Sequence, residues 1–356
     1  AEKLQPQIID WLLDALLMHA SSNLASASES ANDATDAPEN HGSSSLLLRQ
    51  LRWLEVVVDP DQLAEKLSET LQMAPANVQR DIIVSLPEIL GDMLPESLLE
   101  ELLRIVNEHT SLTTAAVDAL SELRIPGAAQ ERLQRDVCAL LRYAHGDELP
   151  VLLRFLLSTA SADNATEVVQ LVRKSLDLRQ IARISKSKHG DTPETVLVDM
   201  LRSCLQRYSY LADAWLQVLL QATEREEPMI LDIVVCYLLQ PKARKKVEAL
   251  TRRHIGSGRF SASLFTECIT NHGEALRGSF ADMLLMAEVL LRKPALTQSG
   301  KIADASMAMY VALFRVADPY HRQEVIVSLV THVGSGIISF QIALFLSLLL
   351  LSAVKP

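Results

Sequence analysis

Regular punctuation at the spacing of two helices is what most restricts the fold of this 356-residue chain. Runs with apolar residues three and four positions apart fill 46–57, 61–73, 76–91, 95–108, 111–123, 128–145, 147–160 and 164–178. That spacing lays one apolar stripe along an α-helix. The joins carry helix stop and start signals: Asp59-Pro60, Ala74-Pro75, Gly91 followed by Pro95, Pro126-Gly127, Gly146-Asp147 and Asp163-Asn164. First helices begin near residues 61, 95 and 128 and second helices near 76, 111 and 147, a period of about 33–36 residues. A two-helix hairpin of that length cannot bury its apolar surface alone, and stacked neighbours do it instead. The predicted fold is therefore all-α, a helical-hairpin repeat (HEAT/armadillo-like) α-solenoid. With 12 Gly, 14 Pro and 4% aromatic residues, the chain lacks material for glycine-rich loops, extensive β-sheet or aromatic stacking platforms. At 49% hydrophobic and 22% charged it is also not a disordered chain.

Five regions are expected. Residues 1–20 hold an N-terminal helix, Ile8–Ala20, with Ile8, Leu12, Leu16 and Met18 as its apolar set. Residues 21–45, rich in Ser, Ala, Asn and Asp with no Lys or Arg, read as a disordered acidic insertion. The regular repeats occupy 46–190, and a second helical segment with less even breaks occupies 191–336. A tail, 337–356, contains eighteen consecutive uncharged residues, Ile337 to Val354. This tail reads as a buried terminal helix, an altered end or a membrane segment at the lower length limit. The opening Ala1 reads as the start of a fragment, and no signal peptide is visible. Cys138, Cys204, Cys236 and Cys268 are too few for a disulfide framework, so a reducing compartment is expected.

The net charge is −10, yet positive charge is concentrated in two places. Arg173–Lys188 carries six basic residues against Asp177. Lys242–Arg259 carries seven, Lys242, Arg244, Lys245, Lys246, Arg252, Arg253 and Arg259, against Glu248. On a helix, part of the set Lys242, Arg244, Lys245, Lys246, Arg252 and Arg253 would form a cationic strip suited to phosphates, to an acidic partner face or simply to a solvated surface. Few aromatics interleave, so stacking on single-stranded bases is not expected. Cys268 and His272, at i and i+4, can face one ion but make half a zinc site. No phosphate-binding or dinucleotide fingerprint is present, and no carboxyl pair is marked as buried. The chain reads as non-enzymatic, with no cofactor and no small-molecule substrate.

Five strings then resemble the Fanconi anaemia group D2 family: Leu51–Asp59 (LRWLEVVVD), Asp81–Asp92 (DIIVSLPEILGD), Thr110–Thr113 (TSLT), Leu149–Leu157 (LPVLLRFLL) and Gln323–His332 (QEVIVSLVTH). The resemblance implies a large nuclear α-solenoid without enzymatic activity. Such a protein pairs with its paralogue, the Fanconi anaemia group I protein, and closes on double-stranded DNA during interstrand crosslink repair. It also implies monoubiquitination through the family's ubiquitin ligase core complex. No lysine here matches the family's acceptor, since Lys355 precedes Pro356. The stretch aligned with a proposed sliding-clamp motif, Gly300–Met307, lacks an aromatic anchor, having Ala303, Asp304 and Ala305 instead. Residues 337–354 lack the acids the family carries there, which favours an altered end over a membrane anchor. Thr297-Gln298 fits the preference of damage-response kinases, and also an ordinary loop threonine.

Overall fold

A computed structural model describes residues 4–29, 41–52, 57–91, 94–141, 143–185, 192–223, 226–292 and 299–334. Among the described residues there are seventeen α-helices, one 3-10 turn and no β-strand, the all-α helical-repeat solenoid class expected from the sequence. The chain parts into two compact units, residues 1–143 with 151–159, and residues 144–150 with 160–356. The units part between residues 144 and 160.

In the first unit the helices are α1 (Gln5–Glu29), α2 (His41–Arg52), α3 (Pro60–Met73), α4 (Ala76–Leu90), α5 (Glu96–Glu108), α6 (Thr113–Glu122), α7 (Gly127–Leu140) and α8 (Leu149–Thr159). First helices lie beside first helices, α1 with α3 and α3 with α5, while α2 packs on α4 and α4 on α6. This two-layer arrangement buries the stripe that periodicity singled out. In α3, Leu63, Leu67 and Leu71 are sealed, and in α5 Leu98, Leu102 and Ile105 are as well. The punctuation residues act locally. Asp59, in extended conformation, accepts a hydrogen bond from the Gln62 amide at 3.0 Å, and Pro60 follows at a position whose N–H would be unpaired anyway. Gly91 ends α4 at φ 61°, a left-handed conformation that costs a side-chain-bearing residue dearly.

Three boundaries differ from the sequence reading. Helix α1 runs past Ala20 to Glu29, and α2 starts at His41, so both ends of the serine-rich stretch are helical; residues 30–40 lie outside the described residues. In α1 the buried set is Ile9, Leu12, Leu13 and Leu16, whereas Ile8 and Met18 are exposed. Leu12 and Leu16 are common to both sets, and Ile9 and Leu13 take the places of Ile8 and Met18 on the stripe that meets α2 and α3. The run 164–178 is two helices: Leu176 turns to extended conformation, and the Asp177 carboxylate accepts from the Arg179 amide at 3.0 Å, starting a new helix.

The second unit comprises α9 (Ala165–Ser175), α10 (Leu178–Ser185), α11 (Pro193–Arg207), α12 (Ser209–Gln221), α13 (Ile230–Gly256), α14 (Ala262–His272), a 3-10 turn (Arg277–Ser279), α15 (Phe280–Arg292), α16 (Ser299–Val316) and α17 (Pro319–Gly334). Here α11, α13 and α15 line one layer, and α14 packs along α16 in the other. Helix α13 touches α11, α12, α14, α15 and α16 and is the hub of this unit.

Because each stripe is sealed by neighbours, Leu67→Ala is expected to lower stability by about 2–5 kcal/mol, the cost of a core cavity. Urea unfolding followed by circular dichroism measures this, with Leu46→Ala, an exposed leucine, expected to change little.

Candidate partner and nucleic-acid interface

Helix α13 consists of two helices joined at a bend. Its first part, Ile230–Gln240, is buried on every side, including Tyr237 and Asp232. A helix apolar all round belongs in the interior. Pro241 then lacks the N–H that the ladder needs, and its ring crowds the preceding turn. Ala243 leaves helical conformation at φ −130° and ψ 33°, and the chain resumes as an amphipathic helix with Val247, Leu250 and Thr251 inward. The basic residues begin immediately after the proline, so the bend sets their direction.

The structure divides the six strip residues by task. Lys242 donates its Nζ to the carbonyls of Leu205 (3.2 Å) and Gln206, closing the C-terminal end of α11. A cation there satisfies carbonyls without intrahelical partners and meets the negative end of the helix dipole. Arg252 pairs with Glu248 at 3.1 Å and donates to the Val289 carbonyl at 2.5 Å, tying α13 to α15. Lys246 meets Asp213 of α12 at 3.1 Å on the surface. Arg244, Lys245 and Arg253 are exposed and have no ion-pair or hydrogen-bond partner among the described residues. The strip is thus half scaffold and half free charge. Lys242, Arg244, Lys245 and Lys246 also line one cleft with α12, whereas Arg252 and Arg253 do not.

One arginine of each stretch, Arg173 and Arg259, turns inward. Arg259 is not a surface cation: it donates Nη2 to Asp232 Oδ2 at 3.0 Å and Nη1 to the Thr223 carbonyl at 2.9 Å. Arg173 reaches the same carboxylate from α9, Nε to Oδ1 at 2.7 Å and Nη2 to Oδ2 at 3.1 Å, and its Nη1 meets Glu226 at 3.1 Å. Asp232 is wholly buried, with Arg173 and Arg259 side chains 8% and 1% exposed. The arrangement clamps α9, the first turn of α13 and the segment after α13 onto one carboxylate. Arg179 is spent on Glu267 at 2.7 Å. The sequence held no local signal for these pairs, since Arg173 and Asp232 are 59 positions apart. His254, within the second stretch, is buried and faces the Leu219 carbonyl through Nε2 at 2.9 Å. Burial holds its pKa below the ordinary value, opposed by the bond to Leu219, so it adds no charge to the strip at neutral pH.

A family model described as "Fanconi anaemia protein FancD2 nuclease" matches residues 2–355. The chain belongs to this Fanconi anaemia D2 family. The Fanconi anemia group D2 protein of Gallus gallus is 29% identical over 316 residues, 82% of this chain and 22% of that protein. The homolog of Mus musculus is 29% identical over 314 residues, 82% of this chain and 21% of the relative, and that of Rattus norvegicus 27%. The chain thus spans about a fifth of the length of these curated relatives.

Against that family the remaining candidates fall into place. Cys268 and His272 are both buried on α14. His272 Nδ1 contacts Glu194 at the start of α11, and burial pushes the Cys268 thiol up, against the thiolate that a metal would need. Among the described residues no group of three or more His, Cys, Asp or Glu side chains is placed to hold a metal ion. Gly300–Met307 forms the first half of α16, with Ile302, Ala305 and Ser306 buried. No described helix is long and apolar enough to cross a membrane. Thr297-Gln298 and residues 337–354 lie outside the described residues.

Asp232→Asn leaves two buried guanidinium groups short of a negative partner, and a loss of about 3–5 kcal/mol in urea unfolding is expected. His254 supplies a pH signature. A histidine whose folded pKa is depressed is neutral in the native state but protonated in the unfolded chain just below the ordinary value of 6.5. Stability contributed this way is complete above that value and falls as pH drops below it. His254→Gln, which keeps a donor for Leu219 without a titrating ring, is expected to flatten the slope of stability against pH from 6.5 downward.

Proposed function

We propose that the chain is a segment of a non-enzymatic scaffold of the Fanconi anaemia pathway, acting in the nucleus in DNA interstrand crosslink repair. In this reading it pairs with the Fanconi anaemia group I protein and contributes to association with double-stranded DNA. The full-length protein is then a substrate of the ubiquitin ligase core complex. The family match across residues 2–355 carries the proposal, and the stacked-hairpin fold supports it. Solenoids present long, continuous surfaces to other macromolecules and build them from many similar units. The free charges of Arg244, Lys245 and Arg253 suit long-range attraction in a chain whose net charge is −10.

The family description's word "nuclease" supplies the competing reading, in which the chain cuts DNA rather than holding it. One experiment separates them. The purified chain is mixed with the group I protein, with and without duplex DNA, and both co-purification and DNA length are followed. Co-purification with intact DNA is expected. A chain that is folded by circular dichroism yet fails to retain the group I protein would refute the pairing, and metal-dependent cleavage would refute the non-enzymatic part.

A further inference from the structure

The bend at Pro241 opens a cleft between α12 and the second half of α13, with a volume of about 590 Å³. That lies within the roughly 300–1,000 Å³ span of ligand clefts. Its chemistry is mixed. Its lining combines apolar Ala212, Leu216, Pro241 and Ala243 with the cations Lys242, Arg244, Lys245 and Lys246 and the carboxylate of Asp213. Two of the four cations are already engaged, Lys242 with the carbonyls ending α11 and Lys246 with Asp213. Arg244 and Lys245 are exposed and without partners among the described residues.

We infer that this cleft seats an acidic segment of a protein partner, in which carboxylates flank an apolar side chain. The inference rests on the scaffold reading and names the chemistry of one thing the scaffold holds. Three observations favour a peptide over a nucleic acid. A duplex offers a broad, even array of phosphates and calls for cations spread across an open face, whereas Arg244 and Lys245 border a recess sized for a few side chains. The recess is lined in part by Leu216, Pro241 and Ala243, which suits an aliphatic anchor and gives nothing to a sugar-phosphate backbone. No aromatic residue lines it, so a single-stranded base has no ring to stack on. Arg244 can take a carboxylate through two parallel N–H donors, and Lys245 adds a point charge beside it. Lys246 can exchange Asp213 for an incoming carboxylate, since that surface pair is weakly held.

The probe is a short fluorescein-labelled peptide of alternating Glu and Leu, titrated by anisotropy with the full 356-residue chain. Binding is expected, weakened by salt as a partly exposed charge contact should be. The double variant Arg244→Glu with Lys245→Glu is expected to lower affinity about tenfold or more. An equal charge change elsewhere, Arg277→Glu with Lys301→Glu, should leave it unchanged. All four positions are exposed, and circular dichroism confirms that each variant folds. The inference is overturned if the peptide does not bind, or if R244E/K245E binds it as well as the unaltered chain. It is overturned too if that variant loses duplex DNA and keeps the peptide, which would make the cleft a nucleic-acid contact. Retained co-purification of R244E/K245E with the group I protein in any of these cases leaves the scaffold reading standing, so the two can fail separately.

Discussion

A hairpin of two amphipathic helices has more apolar surface than its own partner helix can cover, and this shortfall organises the molecule. Each pair is folded only when another pair lies against it. For this reason α3 sits on α1 and α5 on α3, and their leucines reach nearly complete burial. Single apolar residues also stay outward, as on most protein surfaces. Helix α1 seals Ile9, Leu12, Leu13 and Leu16 yet keeps Ile8, Trp11 and Met18 in solvent, and α17 seals Val325 and Leu329 while Tyr320 and Val327 stay out.

Within the second unit, ion pairing supplements packing. Asp232 holds two arginines that come from far apart in the chain, and the cost of removing three charges from water is offset only because nearly every donor and acceptor is matched. Arg259 Nε alone of that group stays without a hydrogen-bond partner. Such a cluster gives little net stability but penalises any packing that separates its members. The same low-dielectric surroundings push the Cys236 thiol up to about 12, keeping it inert as a nucleophile.

Secondary structure was legible because periodicity is a local property. Asp59-Pro60 and Gly91 marked real helix ends, and the repeat of about 33–36 residues named the architecture. The charge stretches were legible as composition but not as surface. Nothing local told Arg259 and Arg173, which are buried on Asp232, from Arg244 and Lys245, which are free. Burial depends on what packs from elsewhere in the chain, and Lys242 and Arg252 are spent on carbonyls 37 positions away. The site residues that sequence reasoning passed over, Asp213 and Leu216, look like any other positions of an amphipathic helix until α13 bends toward them.

That bend has a consequence for how the cationic lining can vary. The helical path breaks at Ala243 and restarts after it, and each later residue takes its azimuth by counting from that break. One uncharged residue gained or lost between Ala243 and Lys245 would swing Lys245 and Lys246 by about 100° around the axis, out of the recess, without altering net charge. Spacing from the bend, more than the number of cations, is therefore what any chain sharing this cleft must preserve.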